Sequence, residues 1–176
     1  TGAGKILCNC ACVMSEGGFN ILGRLFAVDN HLTSKTIGAA MEPILSMRIK
    51  SGSKINAIIQ QISVVAVSNN ASIHYELFIV HDDSTGSSLT GESWIGGPDN
   101  SDIEYDVSAT SYSTTQIIVS GYLGRNSGQI VFPTGEYNNL MLTKNIDGVS
   151  DILILACGSL TGNEDVVTNI LYKEIL

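Results

Sequence analysis

The chain has 176 residues, of which 15% are charged, and a formal net charge of −8. That length suits one domain with a substantial core. Nine Lys and Arg scattered in no run argue against a nucleic-acid face, which needs clustered cations. No apolar stretch reaches the roughly 18 residues of a membrane-spanning helix; the longest candidate, Ile58 to Val67, is broken by Gln60, Gln61 and Ser63.

Ile, Val and Thr fill 45 positions and Gly fills 18, a composition of strands and tight turns. The start, Thr1-Gly2-Ala3-Gly4-Lys5, is small and polar and reads as no signal peptide. With Thr first, the expectation is either a removed initiator Met or a piece of a longer polypeptide. Cys8, Cys10 and Cys12 alternate through Ile6 to Val13, so a strand there puts all three on one face. Zinc ligands are usually spaced C-x₂₋₄-C, and three neighbours on one strand face cannot surround an ion. They and Cys157 read as small buried apolar residues in a reducing compartment, with no metal and no disulfide scaffold. Residues 1–40 are expected to form N-terminal strands or an arm that joins a β-sandwich domain over 41–176.

Period-two alternation predicts strands over Leu45–Ile49, Ala57–Val67, Ile73–Val80, Gln116–Leu123, Ile152–Cys157 and Val166–Tyr172, with Phe19 to Val28 as another. In Ile103 to Val107 the alternation places Asp102, Glu104 and Asp106 in water. Ala57 to Val67, Gln116 to Leu123 and Ile152 to Cys157 are apolar on both faces, which calls for a second layer or a neighbouring subunit. Turn signals separate the runs: Glu16-Gly17-Gly18, Ser51-Gly52-Ser53, Asn69-Asn70, Asp82 to Gly91, Gly96 to Asn100, Asn126-Ser127-Gly128 and Asp147-Gly148. Leu32 to Met41 can form at most a turn or two of helix. One all-β domain follows, a single antiparallel β-sandwich of jelly-roll type.

Motifs with chemistry are few. Thr1 to Lys5 lacks the preceding strand, the Ser or Thr after Lys and the following helix of a phosphate-binding loop. Ser51-Gly52-Ser53-Lys54 matches S-x-x-K, but sits in a turn and not on the helical face that lets Lys activate Ser. His31, His74 and His81 are the only histidines, and the latter two point to opposite sides of one strand. Asp82-Asp83-Ser84-Thr85-Gly86 and Asp99-Asn100-Ser101-Asp102 are rich in hard oxygen donors of the kind Ca²⁺ takes, without the EF-hand pattern. They read as solvated acidic turns. Asn70-Ala71-Ser72 is a formal glycosylation triplet. The expectation is a holding and binding protein, not an enzyme, with no catalytic, cofactor or metal residue.

Pro43-Ile44-Leu45-Ser46-Met47-Arg48-Ile49-Lys50 resembles a P-[IL]-L-S-x-R-[IL]-K entry of β-rich virion proteins in tailed bacteriophages. Ile103-Glu104-Tyr105-Asp106 with Ser108-Ala109-Thr110, then Ser120-Gly121-Tyr122, continue the likeness. Ile146-Asp147-Gly148 with Ser150-Asp151-Ile152-Leu153 follows in order, and Tyr172-Lys173-Glu174-Ile175-Leu176 is similar to a terminal W-[KR]-E-[IL]. The resemblance runs from about Met41 to Leu176 and implies a virion structural protein, assembled in the host cytoplasm as a homotrimer. It implies a capsid decoration protein that clamps coat subunits, or else the receptor-binding knob of a fibre that holds a host surface glycan. A carbohydrate-active enzyme is a more distant alternative. It requires two carboxylates about 5–9.5 Å apart in a cleft, for which Asp83, Asp99, Asp102 and Glu104 are the candidates.

Overall fold

The alternating segments become strands because each can set one row of β-branched or aliphatic side chains against a second sheet. The computed structural model describes residues 23–68, 71–81, 88–113, 116–125, 129–133 and 140–175. Fourteen strands and no helix occur among them. Cys8, Cys10, Cys12 and the Asp82 to Gly86 turn lie outside the described residues.

Strands are numbered in chain order. One sheet runs β1 (Arg24–Asp29), β14 (Glu164–Ile175), β4 (Asn56–Ala66) and β11 (Gln129–Pro133). In it, β2 (Lys35–Ile37) also pairs with β14, and β12 (Met141–Leu142) with β4. The second sheet runs β10 (Ile117–Leu123), β5 (Ile73–Val80), β13 (Ile152–Ser159), β3 (Glu42–Ile49), β8 (Ile103–Asp106) and β7 (Ile95–Gly96). A third, two-stranded sheet pairs β6 (Leu89–Thr90) with β9 (Ser111–Tyr112). All pairings are antiparallel, and the long strands change sheet from one to the next: β3 to β4 to β5, and β12 to β13 to β14. The six spans expected from alternation match β3, β4, β5, β10, β13 and β14 to within a few residues. The all-β sandwich is therefore what the chain forms.

The core lies between the two six-stranded sheets. Ile59, Ile62, Val64, Ile170 and Tyr172 of the first meet Leu45, Met47, Ile49, Leu77, Leu153 and Leu155 of the second. β14 shows how the pattern works. Glu164, Val166, Thr168, Ile170, Tyr172 and Glu174 point inward and are buried, while the residues between them are half-buried. β4 looked apolar on both faces, yet a register shift opposite Leu171 and Tyr172 bulges Gln60 and restores one inward row.

The structure decides between two alternatives for β13 and changes the reading of Asp106. All eight residues of β13 are buried, but the outer face is covered from within the chain. Ile152, Ile154 and Ala156 join Phe78 under Leu89 and Ala109, with Trp94 and Tyr112 packed alongside. The segments around β6 and β9 thus form a third layer over the second sheet, and the outer face of β13 is covered without a second chain. The same layer corrects the reading of Asp106 as solvent-facing, because the loop after β8 folds over that face and leaves Asp106 only 1% exposed.

Candidate functional site

The residues with chemical potential sit far apart. Ser51 to Lys54 forms the β3–β4 turn, with Gly52 at a φ of 79° that a side chain would strain. Ser53 Oγ donates to Asp102 Oδ2 at 2.9 Å, so the S-x-x-K match serves to tie two loops. His31 lies exposed beyond β1 and pairs with Asp29. His74 stacks on Tyr122 with ring centroids 4.8 Å apart and lies 3.5 Å from Glu76. His81 follows the far end of β5 from His74, on the order of 20 Å away at strand rise. Its Nδ1 is 2.8 Å from Asp151 Oδ1. Among the described residues no three His, Cys, Asp or Glu side chains gather closely enough to hold a metal ion.

What sequence reasoning missed is a set of four buried carboxylates at strand ends, each holding a loop. Asp106 ends β8: its Oδ1 accepts from the backbone N–H of Ser93 at 2.7 Å and from Ser108 Oγ at 2.6 Å, and its Oδ2 accepts from the Ala109 N–H at 3.0 Å. Asp151 precedes β13, and its Oδ2 accepts from Thr143 N at 2.9 Å and Thr143 Oγ1 at 2.8 Å. Glu164 opens β14 and accepts from Ser68 N at 2.7 Å and Ala71 N at 3.0 Å, bracketing the β4–β5 turn. Glu174, near the other end of β14, accepts from Ser101 Oγ at 2.6 Å and Asp102 N at 2.8 Å. Bonds from neutral donors to a carboxylate are stronger than neutral ones, and a buried carboxylate left without them is costly.

The loop before β8 is the most heavily held. Ser101 gives its one hydroxyl proton to Glu174, so the Tyr172 hydroxyl is the donor in their 2.7 Å contact. Burial pushes the Tyr172 phenol up to about 12. Lys50 Nζ donates to Ser101 O at 2.6 Å from the opposite side. Gly97 sits so close beneath that a Cβ there would lie 2.9 Å from Ile103 O. Lys35 plays a similar part at another corner, donating from β2 to Pro43 O and Ala109 O, each at 2.7 Å. Burial lowers its ammonium below the ordinary value.

This rigid loop forms one wall of a trough along β1. A cleft of about 390 Å³ lies between Gly23, Arg24, Glu174 and Ile175 on one side and Asn100 and Asp102 on the other. It continues past Leu25, Phe26 and Asp99, and then past Asp29, His31, Gly97 and Tyr105. Asp102 and Glu174 both line the cleft, but Asp102 already accepts from Ser53 Oγ and Glu174 from Ser101 Oγ and the Asp102 N–H. Asp99 stands on the rim and Glu104 pairs with Arg48 elsewhere, with Nη2 2.9 Å from Oε2. The trough offers both polar and apolar side chains along its length.

Five residues within the motifs of the phage resemblance hold loops: Lys50, Asp106, Asp151, Tyr172 and Glu174. Compared with protein-family profiles and with curated proteins, the chain matches none.

Proposed function

We propose that this chain is a structural and binding module of a tailed-phage virion, a capsid decoration protein that clamps coat subunits and associates with copies of itself. The observation that carries this reading is the use of the four buried carboxylates among the described residues. Asp106, Asp151, Glu164 and Glu174 all accept hydrogen bonds from their own chain's loops. Groups arranged this way hold loops in place, which suits holding more than turnover. The likeness from Met41 to Leu176 supplies the biological setting, and the net charge of −8 disfavours a nucleic-acid partner.

The trough beside β1 favours the second reading, a fibre knob that holds a host surface glycan, because its lining mixes polar side chains with apolar ones, as small-molecule sites do. Antibodies raised against the purified chain and imaged on intact particles test both. Label spread over the capsid is expected for decoration, and label at fibre tips for the knob. Particles that carry no label, from cells that make the chain, would contradict both.

A further inference from the structure

Sheet edges are places where backbone N–H and C=O groups stand unpaired, and proteins guard them with charge, proline, bulges or brevity. The edges of this molecule are guarded unequally. β1 carries Arg24 and Asp29 at its ends. β7 is two residues long and runs into Gly97-Pro98, and β11 ends in Pro133. β12 is two residues. β10 is different: it spans seven residues and pairs with β5 alone among the described residues. From Gln116 to Gly124 it holds no charged residue and no proline. Its outward side chains include Ile117 at 51% and Tyr122 at 64% exposure. Among the described residues its one guard is a register shift between Ile117 and Val119, which leaves Val119–Leu123 as a regular edge that no described strand pairs.

From this we infer that β10 pairs antiparallel with β10 of a second copy about a two-fold axis, joining the two second sheets into one across the contact. A two-fold contact sets a strand antiparallel to itself, residue i facing j and j facing i, so a charge near the axis lies close to its own copy. In a chain of net charge −8 that condition is hard to meet, and the uncharged Gln116–Gly124 strip meets it. The nearest acidic neighbour, Glu76 on β5, would lie roughly 14 Å from its counterpart at ordinary strand spacing, beyond a Debye length in physiological salt. Pairing satisfies the open backbone groups of Val119–Leu123 and covers Tyr122. Gly121 at its middle is already filled on the inner side, where Tyr75 Oη occupies the space a Cβ would need.

The inference deepens the assembly reading and rests on it, but a separate measurement tests it. Sedimentation equilibrium of the wild-type chain at micromolar concentration is expected to give a dimer or a multiple of two. Ile117→Lys and Tyr122→Lys add charge where the side chain is already exposed. Both are expected to keep the strand circular dichroism of the wild type. Tyr122→Lys is expected to weaken association about tenfold or more, since the two lysines then lie diagonally across the axis, and Ile117→Lys, beyond the register shift, to weaken it less. Ile146→Lys, a fully exposed site in another turn, is expected to leave association unchanged. Amide exchange of Val119–Leu123 that slows as protein concentration rises supports the contact without any variant. A wild-type monomer, a trimer with concentration-independent exchange in β10, or Lys variants that sediment as the wild type would each overturn it. The trimer outcome leaves the virion reading standing, and particle labelling decides that reading on its own.

Discussion

The two faces of the β10-β5-β13-β3-β8-β7 sheet are buried by different means. The inner face meets the β1-β14-β4-β11 sheet through long strands, and Leu45, Met47, Leu153 and Leu155 pack there with at most 1% exposure. Area alone can hold such a layer, at roughly 25 cal/mol per Å² of apolar surface removed from water. The outer face meets a layer whose own strands, β6 and β9, are two residues each. A two-stranded ribbon that short is not stable alone. Polar fixings make up the difference: Asp106 gathers Ser93, Ser108 and Ala109, Lys35 reaches Ala109, and the Arg48 guanidinium lies 4.1 Å over the Trp94 ring. Long strands can be held by burial, whereas short connections need placed charges.

Neighbouring residues of β13 give the sharpest contrast. Leu155→Ala, on the inner face, is expected to lower unfolding free energy by about 3–5 kcal/mol in denaturant titration, because two rigid sheets cannot close over the cavity. Ile154→Ala points to the outer layer, which can settle into the gap, and about 2–3 kcal/mol is expected. Equal losses would remove the distinction. Asp106→Ala leaves the Ser93 and Ala109 N–H groups without their acceptor and is expected to cost about 2 kcal/mol, limited because a lifted loop regains water. Its signature is a native inner core with dye-accessible apolar surface over Phe78 and Ile154.

The pH dependence follows from Tyr172. Its folded value of about 12 lies above the ordinary 10.0, so the stability it contributes is complete below pH 10.0 and is lost as pH rises toward 12. Tyrosinate absorbance should show late phenol ionisation together with alkaline unfolding, and Tyr172→Phe should reduce that step by one phenol, burial raising Tyr75 and Tyr112 as well. The smallest effect concerns Cys157, whose thiol is fully buried and pushed up by burial. It is expected to resist alkylation in the native protein and to react once unfolded.

Much of the fold was legible because period two is local: β5 spans the residues its alternation marks, and β14 announces its inward row. The covering of β13 was not legible, since an all-apolar strand looks alike whether its second face meets another chain or a loop of its own. Asp106 was misread for the same reason, as alternation places it outward and only the layer around β6 and β9 makes outward mean buried. Glu164 and Glu174 could have been found. Both fall on the apolar face of β14, where a carboxylate has to have partners, and their even spacing with Val166, Ile170 and Tyr172 was the signal.

The central claim is that buried carboxylates hold the loops, and amide hydrogen exchange tests it residue by residue. The backbone N–H groups of Ser68, Ala71, Ser93, Asp102, Ser108, Ala109 and Thr143 donate to these carboxylates and to no strand partner. They are expected to exchange as slowly as strand amides, with Ser93, Ser108 and Ala109 alone released in Asp106→Ala. Exchange at the rate of unbonded loop amides in the wild type, or unchanged protection in the variant, would contradict the account.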